Sequence, residues 1–246
     1  MTTADIFQLL RSGTIEMAGL LPWSSNYTFL VHICGEAEPV RAVYKPQRGE
    51  RPLWDFPQGS LCHREYAAFL VSDALAWELV PPTVVRDGPH GFGSIQRFID
   101  HDPEQHYFSI EGQPVFRSQL QRMVLFDALI NNADRKSGHV LLEESDDPRG
   151  PDKLWGIDHG ICFHAEPKLR TVIWEFANRS IPADLLADLR LLQKRLHSPA
   201  DPFCKQLQGA LNSLEIKALR QRAERLIRQG VFPKPGSGRH YPWPPV

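Results

Sequence analysis

The chain has 246 residues, 42% of them hydrophobic and 23% charged, with a formal net charge of -1, which is the composition of an ordinary globular protein with room for a substantial core. Near-neutral charge gives no bulk attraction to a polyanion, so a nucleic-acid partner is not expected. The four cysteines, Cys34, Cys62, Cys162 and Cys204, form no Cys-x-x-Cys pair, and no apolar run reaches membrane-spanning length, so a zinc ribbon, a disulfide framework and a transmembrane segment are all excluded as organising features.

Thr3 and Asp5 offer caps for a short helix through Leu10, and the start of the chain lacks the basic and apolar regions of a signal peptide, which places the protein in the cytoplasm. Residues 14–20, 27–33 and 40–45 read as three consecutive strands of a meander, with a tight loop, Leu21 to Asn26, between the first two. A loop rich in proline, glycine and charge, residues 47–59, precedes a helical pattern from Ser60. Its buried stripe is Leu61, Ala68, Val71 and Leu75, with Glu65 set among apolar residues. Pro81-Pro82 is expected to close that helix, and residues 83–85 and 93–99 read as two more strands across an Asp87-Gly88 turn. A polar linker then leads from His101 to a helix capped by Ser118, with Leu120, Met123, Val124, Ala128 and Leu129 at helical spacing and Asn131-Asn132 at its end.

Beyond that helix the sequence reads strand (140–142), turn-rich loop (145–152) and strand (154–157), an antiparallel hairpin. With its tip near Pro148-Arg149, His139 falls roughly opposite Asp158, and opposed residues have Cβ atoms about 4.5 to 5.5 Å apart. Asp134 enters at the same end. Two carboxylates and an imidazole gathered there can hold one divalent cation and leave a carboxylate to orient a nucleophile, which phosphoryl transfer requires. Zinc held by His159, Cys162 and His164 is a poor alternative, since no fourth ligand has recognisable spacing.

These residues carry a family resemblance. Asn132-Ala133-Asp134-Arg135-Lys136-Ser137-Gly138-His139 resembles the D-R-H-x-x-N catalytic loop of the phosphatidylinositol 3-/4-kinase-like superfamily, and Gly156-Ile157-Asp158-His159-Gly160 resembles its metal-binding D-x-G. That superfamily includes the type II phosphatidylinositol 4-kinases and the HipA-like bacterial serine kinases. The resemblance implies an α+β, bilobal protein-kinase-like fold, with a small antiparallel-sheet lobe and one helix in residues 1–100, a mainly helical lobe in 101–232 and a Pro/Gly-rich tail in 233–246. It implies Asp134 as the catalytic aspartate and Asp158 and His139 as ligands of Mg²⁺ or Mn²⁺. Lys136 replaces the usual histidine and His139 the usual asparagine, and imidazole suits Mn²⁺ better than Mg²⁺.

By the same resemblance, Val43-Tyr44-Lys45-Pro46 matches the strand lysine motif, with Lys45 paired to Glu65 and held against the ATP phosphates. The loop carrying Ser24, Ser25 and Asn26 would cover those phosphates. Gln96, Phe98 and Ile99 would lie along the hinge that binds adenine through backbone groups. The expected activity is transfer of the γ-phosphoryl group of ATP to an acceptor hydroxyl on protein, lipid or metabolite. The alternatives are nucleotidyl (AMP) transfer on the same fold and a pseudokinase that only binds a partner.

After Asp158, residues 168–176 stand in the place of an activation segment. Ile181-Pro182 opens a leucine-rich helix, and a final amphipathic helix spans about 214–228. Its basic face is balanced by Glu215 and Glu224, which favours packing on the lobe over membrane binding.

Overall fold

The computed structural model describes residues 2–21, 27–36, 38–145, 147 and 149–246. Helix α1 (Thr3–Ser12) is capped by Thr2, whose hydroxyl accepts from the Asp5 amide while the Asp5 carboxylate bonds back to Thr2, so the cap lies one residue before the expected Thr3. Strands β1 (Thr14–Leu20), β2 (Phe29–Cys34) and β3 (Val40–Pro46) form the expected meander. They join β4 (Thr83–Gly88) and β5 (Gly91–Arg97) in one antiparallel sheet of order β1-β2-β3-β5-β4. Alternation along β2 and β3 sends Val31, Ile33, Ala42 and Tyr44 inward to meet Leu10, Val84 and Ile95 in a small core of their own.

The turn between β4 and β5 sits two residues later than expected: Gly88 pairs with Gly91, and Pro89-His90 form the loop. Gly91 has φ +93°, which a side chain would resist, and that fixes the turn there rather than at Asp87-Gly88. Helix α2 (Leu61–Ala74) ends well before Pro81-Pro82. Ala76 takes a left-handed φ of 53°, and the Ser72 hydroxyl accepts from the amides of Leu79 and Val80, so the returning chain is captured before any proline is reached.

The polar linker after the sheet is partly structured. A short helix α3 (Tyr107–Ile110) buries Tyr107 and Ile110, and a 3₁₀ turn at Pro114–Phe116 runs directly into α4 (Arg117–Ile130). Ser118 therefore lies inside α4 and does not cap it. Asn131, at φ 56°, closes the helix in the left-handed region. The hairpin consists of β6 (Val140–Glu143) and β7 (Lys153–Gly156), and α5 (Ala183–Leu196), α6 (Pro202–Ala210) and α7 (Ser213–Gln229) complete the helical body.

The main core joins α2, α4 to α7 and the hairpin; Leu120, Phe126, Leu129, Leu189, Leu192 and Leu219 are fully or almost fully buried in it. Arg64 of α2 and Glu215 of α7 form a buried ion pair, and Arg64 also donates to the Cys162 carbonyl at 2.5 Å. α2 is thereby fixed to the helical body while its other side faces the sheet. The cleft between sheet and body is thus bounded by one rigid helix. The four cysteines are free thiols, and among the described residues no helix is long and apolar enough to cross a membrane.

Candidate active site

Lys45 stands on β3 opposite Ser94 of β5, and the two strands approach so closely at the neighbouring pair that a Cβ on Gly93 would stand 2.4 Å from the Lys45 carbonyl oxygen. Glycine there is a condition for the lysine strand to lie where it does. The Lys45 ammonium donates to Glu65 Oε1 at 2.6 Å and to Asp158 Oδ1 at 2.7 Å. Glu65 is buried on α2, and its second oxygen accepts the His159 amide at 2.9 Å, so one carboxylate orients both the lysine and the loop that carries Asp158. Burial opposes the charge on Lys45, but Asp158 and Glu65 outweigh it and hold the lysine protonated well above its ordinary range. Lys45 in turn holds Asp158 well below the usual carboxylate range, with His139 adding to the effect against burial.

The hairpin pairs Val140 with Gly156 and Leu141 with Trp155, which continues to place His139 opposite Ile157, one residue short of the expected Asp158. The Ile157 amide donates to the His139 carbonyl at 3.0 Å, as that register requires. Side chains compensate for the offset: Asp158 leaves the strand direction with φ 61°, and His139 Nε2 lies 3.2 Å from its Oδ2. A left-handed non-glycine residue is costly, and here it turns a carboxylate into the cleft.

Asp134 lines the same cleft as Lys45, Glu65, Ser94, Asp158 and Gly160. Its amide is tied to the Asn132 side chain at 3.0 Å, and burial, with Asp158 nearby, raises its carboxyl above the ordinary value against the pull of His139 and Lys136. A carboxylate of raised basicity beside a lysine-clamped one is the division of labour that acid-base chemistry uses.

Beneath these groups lies a pair that the sequence pattern did not single out. Asp127 of α4 and Arg135 of the loop that follows it are both fully buried, and both carboxylate oxygens accept from the guanidinium at 2.9 Å. Asn132 adds a third bond to Asp127 at 2.9 Å. The rest of the guanidinium donates to the carbonyls of His139 and Ile157, at 2.9 and 3.0 Å, and to His159 Nε2 at 2.7 Å. One side chain therefore ties the loop bearing Asp134 to the loop bearing Asp158. His159, deep in the body and neutralised by burial and by Arg135, is an acceptor in this network and not a zinc ligand. A charged residue between Phe126 and Ala128, in the most apolar stretch of α4, was the available signal.

Glu50 was also missed. From the loop of residues 47–59 it caps α2, accepting the amides of Leu61 and Cys62 at 3.2 and 2.9 Å. The same loop reaches the helical body through Asp55, bonded to Lys168 at 2.8 Å, so it spans the cleft as an ordered bridge.

The remaining expected nucleotide contacts are placed as follows. Ser24, Ser25 and Asn26 lie outside the described residues. Gln96 is buried and gives its amide to the Thr83 hydroxyl at 2.8 Å. In the hinge stretch the Phe98 amide is taken by the Arg41 carbonyl at 2.9 Å, and the Ile99 carbonyl lies 2.8 Å from His101 Nδ1. The tail is laid on the surface: the Thr171 amide donates to the His240 carbonyl and the Ser137 amide to the Pro245 carbonyl, at 3.1 and 2.8 Å.

Two donors fit a divalent cation. His139 Nδ1 lies 2.9 Å from the Asp134 carbonyl oxygen, which accepts only, so that nitrogen carries the proton and Nε2 is left facing a carboxylate oxygen. The weaker approach of the Lys136 amide to Nδ1, at 3.5 Å, does not compete. A lone pair and a carboxylate oxygen held 3.2 Å apart need a proton or a cation between them, and two cis ligands at about 2.1 Å from one ion are about 3 Å apart. Among the described residues no three acidic, histidine or cysteine side chains gather as a closed metal site, so further ligands would come from water and phosphate.

Comparison with known proteins bears on the family and the fold. Protein Rv2133c of Mycobacterium tuberculosis is 37% identical over 98% of this chain and 95% of its own length. Phosphatidylinositol 4-kinase gamma 5 of Arabidopsis thaliana is 27% identical over 70% of this chain and 34% of that protein. Two solved structures share the fold: the Golgi casein kinase with Mn/ADP bound (TM-score 0.54, 15% identity, 92% of this chain and 75% of that one) and the Helicobacter pylori proinflammatory kinase CtkA (TM-score 0.51, 11% identity, 89% and 93%). Residues 84–211, more than half of the chain and the stretch that holds Asp134, His139 and Asp158, match the phosphatidylinositol 3- and 4-kinase family, and the chain belongs to that family.

Proposed function

We propose that the protein is an ATP-dependent kinase that transfers the γ-phosphoryl group to an acceptor hydroxyl. The observation that carries this reading is the Lys45 ammonium held between Glu65 and Asp158, at 2.6 and 2.7 Å, over a cleft that also contains Asp134. Lys45 would bind the α- and β-phosphates, its position set by the buried Glu65. Asp134 would accept a hydrogen bond from the acceptor hydroxyl and take its proton as the phosphoryl group moves, and its raised basicity suits that task. Asp158 and His139 would hold Mg²⁺ or Mn²⁺, which supplies neutralising charge at the phosphates. The Asp127–Arg135 network keeps the two loops in mutual register, and a small misplacement of either would be costly in rate.

The test uses the purified protein with ATP labelled on either the α- or the γ-phosphate and a mixture of candidate acceptors, analysed by mass spectrometry. Transfer of γ-label alone, abolished in Asp134→Asn, supports the kinase. Transfer of α-label would replace it with nucleotidyl transfer, and no transfer of either label, with nucleotide still bound, would make the chain a binding module.

A further inference from the structure

The helical body contains a second cavity, of about 650 Å³, between the end of α4, residues 165–169, α7 and the start of the tail. That is a size that accommodates a small molecule. It shares no lining residue with the Lys45–Asp158 cleft. Its charge is one-sided: Arg222, Arg225 and Lys234 line it, and none of its described lining residues is acidic. Leu169, Leu226 and Phe232 supply an apolar wall.

Arg222 is the distinctive member. It is only 9% exposed, its Nε donates to the Leu129 carbonyl at 2.8 Å and its Nη1 to the His164 carbonyl at 3.2 Å, but its buried Nη2 has no partner. Both bonds it does make are to neutral carbonyls, and burial together with Arg225 works against its charge more strongly than Glu215 supports it. Glu215, two turns earlier on α7, is bonded to Arg64 and leaves Nη2 without a partner. A buried cation with a spare donor is expensive unless something anionic meets it.

We propose that this cavity is a binding site for an amphipathic anion, a phosphate or carboxylate headgroup on an apolar body. The headgroup would bond Arg222 Nη2, with Arg225 and Lys234 closing over it from the rim, and the apolar body would lie against Leu169, Leu226 and Phe232. Neutral apolar molecules would lack the headgroup contact, and inorganic phosphate would lack the wall.

The test is isothermal titration of the whole protein with octyl phosphate, octanoate, inorganic phosphate and octanol. Arg225 and Lys234 are exposed, so Arg225→Glu/Lys234→Glu should fold as the parent does, and its unchanged melting temperature is checked first. Saturable one-to-one binding of either amphipathic anion is expected, tighter than phosphate or octanol, weakened by about ten-fold or more in the double variant and retained in Lys45→Ala. Whichever of the two anions binds names the headgroup. Equal affinity in the double variant, loss of binding in Lys45→Ala, or no saturable binding of any probe would overturn the proposal.

Discussion

Replacing Asp127 by alanine should be among the most damaging single changes in the molecule. The carboxylate is fully buried and accepts three hydrogen bonds, two from Arg135 and one from Asn132, each at 2.9 Å. Its removal leaves a buried guanidinium without its counter-charge, a situation that costs about 3 to 5 kcal/mol. For a chain of 246 residues roughly 2 °C of melting temperature corresponds to 1 kcal/mol, so Asp127→Ala should melt about 6 to 10 °C lower. Because Arg135 also holds the carbonyls of His139 and Ile157, the loss should reach beyond stability: nucleotide-dependent stabilisation of the surviving folded protein should weaken as well. The assay is thermal melting by circular dichroism beside Glu224→Ala, an exposed carboxylate change expected to cost less than about 0.5 kcal/mol. A second comparison makes the pairing explicit: Arg135→Met should cost less in an Asp127→Leu background than in the parent. A drop for Asp127→Ala no larger than that of Glu224→Ala would refute the claim that this pair anchors both loops.

Three other outcomes are expected. The depressed pKa of folded Asp158 means its contribution to stability is complete above about pH 4 and is lost as pH falls through the folded value, so acid unfolding should be steeper in the parent than in Asp158→Asn; parallel curves would contradict this. His139→Asn should move the metal preference of nucleotide binding from Mn²⁺ toward Mg²⁺, measured as the ratio of melting-temperature shifts with each ion, and an unchanged ratio would remove His139 from the metal site. Gly93→Ala would place a methyl 2.4 Å from the Lys45 carbonyl, and should cost about 1 to 3 kcal/mol, read from denaturant unfolding; a neutral effect would show that β3 can shift without consequence.

Much of the site was legible because its residues follow one another in a fixed order along the chain. Lys45 on a strand, Glu65 in an apolar helix, then Asp134, His139 and Asp158 around a hairpin are local patterns, and the structure brings all five together. What escaped was set by contacts between distant segments. The 151-residue separation of Arg64 and Glu215 hides their pairing, since each looks like an ordinary surface charge on its own helix. Asp127 was visible only as a charge in an apolar run, and its partner lay eight residues on in a loop. The hairpin register missed by one residue because a strand count is sensitive to every turn residue, and the left-handed φ of Asp158, which restores the contact with His139, has no sequence signature in a non-glycine residue. Helix ends were misjudged for a related reason: Ser72 and Ala76 end α2 through tertiary capture, well ahead of the prolines that marked the expected boundary.

The measurement that bears most directly on the account is thermal stabilisation of the purified protein by ATP with Mn²⁺ or Mg²⁺, beside Lys45→Ala and Asp158→Ala. At about 100 times its dissociation constant a ligand adds roughly 2.7 kcal/mol, about 5 °C for a chain of this size. The account predicts that shift in the parent, dependent on the divalent ion and lost in both variants. A shift that survives Lys45→Ala, or none with either ion, would contradict the assignment of this cleft as a nucleotide site.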